Sequence, residues 1–129
     1  MKLSQTFKTI PDRAFWRNAG LTAVKIPEDV LMVGDYAFSE CSNLTSVTIA
    51  GSTEWIGEGA FKNCPKLLSV KIEDGVKTIG DHAFAGCKNL LSVALPSSVL
   101  EIGDGAFAGC ENLSELAISC DIPAMQNAF

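Results

Sequence analysis

Histidine occurs once in the 129 residues and tyrosine once, at His82 and Tyr36. That leaves little material for an acid–base centre, and no G-x-S-x-G, Gly-rich phosphate loop or H-E-x-x-H is present. Clustered Lys and Arg are also missing. Net charge is −5, with the acids spread along the chain, which argues against nucleic acid or an anionic membrane surface. No apolar run approaches the ~18–20 residues that span a bilayer, so membrane insertion is not expected. Met1 to Ile10 alternates polar and apolar residues without a continuous apolar core, so no signal peptide is expected. The five cysteines include no C-x-x-C pair, and no metal or cofactor is expected.

What the chain does have is a period. Ala-Phe recurs as Ala14-Phe15, Ala37-Phe38, Ala60-Phe61, Ala83-Phe84, Ala106-Phe107 and Ala128-Phe129, with steps of 23 residues and a last step of 22. Aligning on it brings other columns into line. An Ile/Val-Gly pair precedes it (Val33-Gly34, Ile56-Gly57, Ile79-Gly80, Ile102-Gly103), then an acid (Asp12, Asp35, Glu58, Asp81, Asp104). Cysteines follow at Cys41, Cys64, Cys87 and Cys110, with Asn18 in the first copy. A leucine column and two β-branched or leucine columns complete the unit. A fixed period of this length means stacked supersecondary units, each unable to bury its apolar side alone. A single solenoid domain over residues 1–129 is expected, of about five and a half coils.

Each column has a physical reading. Ser46-Val47-Thr48-Ile49 alternates polar and apolar side chains with β-branching, which predicts a strand. Equivalent strands are expected at 23–26, 69–72, 92–95 and 115–118, stacked in parallel. The acid after Ile-Gly is placed to cap a short helical turn holding Ala-Phe-x-x-Cys. Asn43, Asn89 and Asn112 suit a left-handed or turn conformation leaving it. Phe15, Phe38, Phe61, Phe84, Phe107 and Phe129 are expected to form a stacked structural spine.

The pattern L-x-x-V-x-I-P-x-x-V-x-x-I-G-x-x-A-F-x-x-C resembles the BspA-like leucine-rich repeats of bacterial surface and protist proteins. Leu44 to Ile49 and Val33 to Cys41 carry it, and Leu95-Pro96 supplies the proline. The resemblance covers essentially the whole chain. It implies an α/β repeat: a leucine-rich-repeat solenoid with parallel strands on the concave face and short helical turns on the other side. It further implies a cell-surface or secreted protein with an adhesive role; with no signal peptide expected, a cytoplasmic location is the alternative.

The ladder Cys41, Cys64, Cys87 and Cys110 reads first as a row of small buried hydrophobes, with disulfide or metal as lesser readings. Cys120 lies outside it and is expected to be the exposed thiol. The acidic column could be a row of cation ligands, but capping explains it without an ion. Tyr36 and His82 flank Gly59, a possible notch for a small ligand or catalysis. The outward strand residues Lys25, Thr48 and Lys71 are small or charged and carry no aromatic anchor. Trp55 and Tyr36 are off-spine aromatics that could mark a contact surface, as is Trp16, for which local packing is the stronger reading.

Functionally, the residues point to a non-catalytic module for protein interaction or adhesion, with an unknown protein partner. A structural or assembly segment of a longer repeat protein is the alternative, and small-ligand binding or catalysis a distant third. Neither end carries a distinct polar cap, so weak self-association through an end is expected as well.

Overall fold

The computed structural model describes residues 8–118 and 127–129. The expected strands are all there, as β2 (Ala23–Ile26), β4 (Ser46–Ile49), β6 (Ser69–Ile72), β8 (Ser92–Leu95) and β10 (Glu115–Ile118). They form one parallel sheet, the even-numbered sheet, in the order β10-β8-β6-β4-β2. Residues one period apart face each other: Lys25 pairs with Thr48, and Thr48 with Lys71. Val47, Ile49, Val70 and Ile72 point into the core, while Ser69 and Lys71 are exposed. This alternation is what a strand buried on one face requires.

A second parallel sheet was not anticipated. It comprises β1 (Lys8–Ile10), β3 (Val30–Val33), β5 (Trp55–Ile56), β7 (Thr78–Ile79) and β9 (Glu101–Ile102), in that order. Ile56 pairs with Ile79, and Ile79 with Ile102, and all three are buried. The core lies between the two sheets and the Ala-Phe turns, and the leucine and cysteine columns fill it. Thr53 stands among Val30, Val76 and Val99 without exposing its hydroxyl, which donates to the Val30 carbonyl at 2.8 Å. A buried hydroxyl with a partner is tolerated where one without would cost stability.

The expected helical turns are absent: the described residues contain no α-helix. A helix sends each N–H to the carbonyl four residues back. Here the N–H groups alternate between two destinations. Ala37 and Ser39 donate within the coil, to Gly34 and Tyr36, whereas Tyr36, Phe38 and Glu40 donate to Glu58, Ala60 and Lys62 of the next coil at 2.8 Å each. The stretch is therefore a chain of tight turns bonded along the stack. Two positions per coil take positive φ, at 57–64° in the column Arg13, Tyr36, Gly59, His82 and Gly105. Arg17, Glu40, Asn63, Gly86 and Gly109 form the second such column, at 59–75°. A helix cannot hold left-handed residues at this spacing, and glycine takes several of the places because it has no Cβ to clash.

The acids do not cap their own turn. Asp12, Asp35 and Asp81 each accept, through Oδ1, the N–H of the same column in the next coil, at 2.8–2.9 Å. The glycine before that column is needed for this approach: a Cβ on Gly57 would lie 2.6 Å from Asp35 Oδ1 and 2.8 Å from backbone. The asparagines Asn43, Asn89 and Asn112 stand in turns, as expected, without positive φ. They donate from Nδ2 to the carbonyls of Ala19, Pro65 and Lys88, at 2.7–2.9 Å. The count of five and a half coils draws on residues 1–7 and 119–126, outside the described residues. Cys120 lies there too. Within those described, each sheet has five strands related by four stacking steps.

Candidate functional site

The phenylalanine row runs through the turns. Successive rings from Phe15 to Phe107 are 5.1–5.6 Å apart and within 10° of parallel. This is offset stacking imposed by the coil spacing, and it adds about 0.5–1.5 kcal/mol per pair beyond the area buried. Phe38, Phe61, Phe84 and Phe107 are buried. The ends differ from the expectation of a uniformly buried row: Phe15 is 39% exposed and Phe129 60% exposed. Phe129 continues the row at 5.9 Å from Phe107, tilted by 30°.

Behind each ring stands a thiol. Cys41, Cys64, Cys87 and Cys110 are free, and each Sγ–H donates to the carbonyl of the Phe one coil earlier, at 3.1–3.3 Å. The first three are buried and Cys110 is half-buried. Burial pushes Cys41 and Cys110 up to about 11, helped in Cys41 by the neighbouring Cys64. Within the Cys64–Cys87 pair, their mutual interaction raises Cys87 and lowers Cys64, while burial opposes ionisation of both. Asn18, in the same column, turns its Oδ1 to the Gly20 N–H at 2.8 Å. Among the described residues no group of three His, Cys, Asp or Glu is placed to hold a metal ion. No helix there is long and apolar enough to cross a membrane.

The surface candidates fall on three faces. Lys25, Thr48 and Lys71 lie together, one above another on the outward side of the even-numbered sheet. A shallow groove of about 310 Å³ runs past Thr48 and Lys71 and is lined also by Ser46, Ser69 and Ser92. Trp55 is elsewhere, on the odd-numbered sheet beside Met32, and is 43% exposed. Tyr36 is on the turn face. Its ring lies against Gly59, where a Cβ would come within 2.4 Å of Cε1, and its O–H donates to Glu58 Oε2 at 3.1 Å. That bond to a carboxylate, with burial secondary, holds the phenol above its ordinary pKa. Tyr36 thus occupies the expected notch itself. His82 leans the other way, against Gly105, so the two do not converge on a site.

Sequence reasoning passed over Arg13, Arg17, Glu40 and Lys62. Arg13 sits 5.3 Å from the Tyr36 ring centre and Arg17 4.6 Å from that of Trp16, and Arg17 Nε bonds Glu40 at 3.0 Å. Their spacing carried the signal, since Arg13 and Tyr36 share one column and Arg17 and Glu40 another.

This chain belongs to the BspA-type leucine-rich repeat family, whose model matches residues 8–129 in six copies. A search of curated proteins found no match. Among solved structures, a leucine-rich repeat protein from Bacteroides ovatus is 37% identical with a TM-score of 0.77, over 84% of this chain and 28% of its own. The T. pallidum leucine-rich repeat protein is 28% identical with a TM-score of 0.78, over 88% of this chain and 65% of its own. A leucine-rich cell surface protein from Faecalibacterium prausnitzii is 35% identical with a TM-score of 0.55, over 82% of this chain and 34% of its own. The chain therefore spans between about a quarter and two thirds of these relatives. Leucine-rich repeats of this family are, in general, protein-interaction modules.

Proposed function

We propose that the chain is a non-catalytic protein-binding module that engages its partner through the outward face of the even-numbered sheet. The observation that carries this reading is the register of Lys25, Thr48 and Lys71 on one face of the sheet, where Thr48 and Lys71 line a groove. Two lysines on one face of an acidic molecule select a partner surface rich in carboxylates. The Faecalibacterium relative, a cell surface protein, supports a place at the cell surface, where a protein-binding module would serve adhesion. The same reading takes residues 1–129 as one solenoid domain of about five and a half coils with the even-numbered sheet concave.

The test compares the wild-type chain with a Lys25→Glu/Lys71→Glu variant by biolayer interferometry against a set of purified extracellular proteins of acidic surface. Binding by the wild type that the variant loses supports the module. Equal binding by both removes this face as the contact surface; binding by neither removes the module and leaves the alternative of a structural or assembly segment in a longer repeat protein, which needs no partner.

A further inference from the structure

A second groove, of about 210 Å³, crosses the turns of the first three coils and is lined by Arg13, Trp16, Tyr36, Glu40, Lys62 and Asn63. Its composition differs from every other surface described. Two aromatic rings bound it, and both are held in place by cations: Arg17 lies over Trp16 and Arg13 over Tyr36. Trp16 is still 43% exposed. The charge is unbalanced. Glu40 is engaged by Arg17, whereas Arg13 and Lys62 form no ion pair among the described residues. A chain of net charge −5 therefore presents two cations without an ion pair of their own beside an exposed indole and a half-buried phenol.

The groove floor decides which class of ligand fits. The N–H groups of Tyr36, Phe38 and Glu40 are all committed to the next coil, so no free backbone edge is available to pair with an extended peptide. What remains is an aromatic platform, fixed donors and a surplus of positive charge. A sugar ring offers C–H faces for the indole and hydroxyls for Asn63 and Glu40, and an acid group on it would meet Arg13 and Lys62. We propose that this groove binds an anionic sugar unit, bearing carboxylate or sulfate, of a larger glycan. It lies on a different face from the protein-binding surface above and does not rest on that reading.

The experiment titrates the whole chain, followed by tryptophan fluorescence and calorimetry, with sialyllactose, sulfated lactose, plain lactose and a hexaglutamate peptide. At least one anionic sugar should bind about tenfold more tightly than plain lactose. Trp16→Ala and Lys62→Gln, both at exposed or half-exposed side chains, should each weaken it about tenfold with melting temperatures near wild type, while Lys71→Gln should leave it unchanged. The proposal is overturned if neither anionic sugar binds, if lactose binds equally well, or if hexaglutamate binds as tightly, which would mean an acidic-peptide site. It also fails if both groove variants bind as the wild type does. Which anionic sugar binds separates carboxylate from sulfate recognition.

Discussion

Phe61 and Phe15 share a column, a backbone turn and a row of stacked rings, yet Phe61 has no exposed surface and Phe15 is 39% exposed. The difference comes from the neighbours: Phe61 is covered by Phe38 on one side and Phe84 on the other, while Phe15 stacks on Phe38 alone among the described residues. A coil in this molecule does not own its core. It shares half with each adjacent coil, as expected of nearest-neighbour stability in a solenoid.

The largest test of that contrast is Phe61→Ala, expected to cost about 3–5 kcal/mol, against about 1–2 kcal/mol for Phe15→Ala, measured by urea unfolding. Equal losses would mean that position along the stack does not matter. Next comes Gly57→Ala, whose new methyl meets both the Asp35 carboxylate and backbone. Overpacking of this kind costs about 1–3 kcal/mol. Gly20→Ala in the first coil meets only Asn18 Oδ1 at 3.3 Å and should cost well under about 1 kcal/mol on the same assay. Asp35→Ala removes the acceptor for the Glu58 N–H and should lower stability by about 1 kcal/mol. Restoration by Asn at the same position would show that geometry, not charge, holds the coils.

The contrast can also be tested by pH. Folded Cys41 and Cys110 ionise near 11, while an unfolded thiol does so near 9. Between those values the unfolded state holds fewer protons, so stability falls as pH rises from about 9 to about 11. Urea midpoints across that range should decline, and a Cys41→Ala/Cys110→Ala variant should decline less. An identical slope in the variant would assign the fall to other groups.

The even-numbered sheet was legible because each strand has four residues of clean alternation, as in Ser69-Val70-Lys71-Ile72. The odd-numbered sheet was not, because Trp55-Ile56 and Thr78-Ile79 are too short to show a period. The turns were misread for a definite reason. Apolar residues spaced as Ala60, Phe61 and Cys64 imitate one face of a helix. The opposing signal was glycine at positions 59, 86, 105 and 109, in the columns that hold Tyr36, His82 and Asn63 elsewhere. Glycine alternating with polar residues in one column marks a left-handed position. The acid column was recognised but its partner was not, since the bond runs to a residue 23 positions away. The surface candidates could be named singly, but grouping Trp16, Tyr36 and Lys62 on one face required the turn geometry.

In the turn ladder, Arg13, Phe15 and Arg17 donate to coil two, Tyr36, Phe38 and Glu40 to coil three, and the sense never reverses through Phe107, which donates to Ala128. The stack consequently has a polarity, like an arrow, with acceptors facing one way and donors the other. Copies joining through this ladder could do so only head to tail, because a twofold pairing would set donors against donors. Contacts of that kind are heterologous, so growth along the arrow yields rings where the rotation closes and filaments where it does not, rather than twofold dimers.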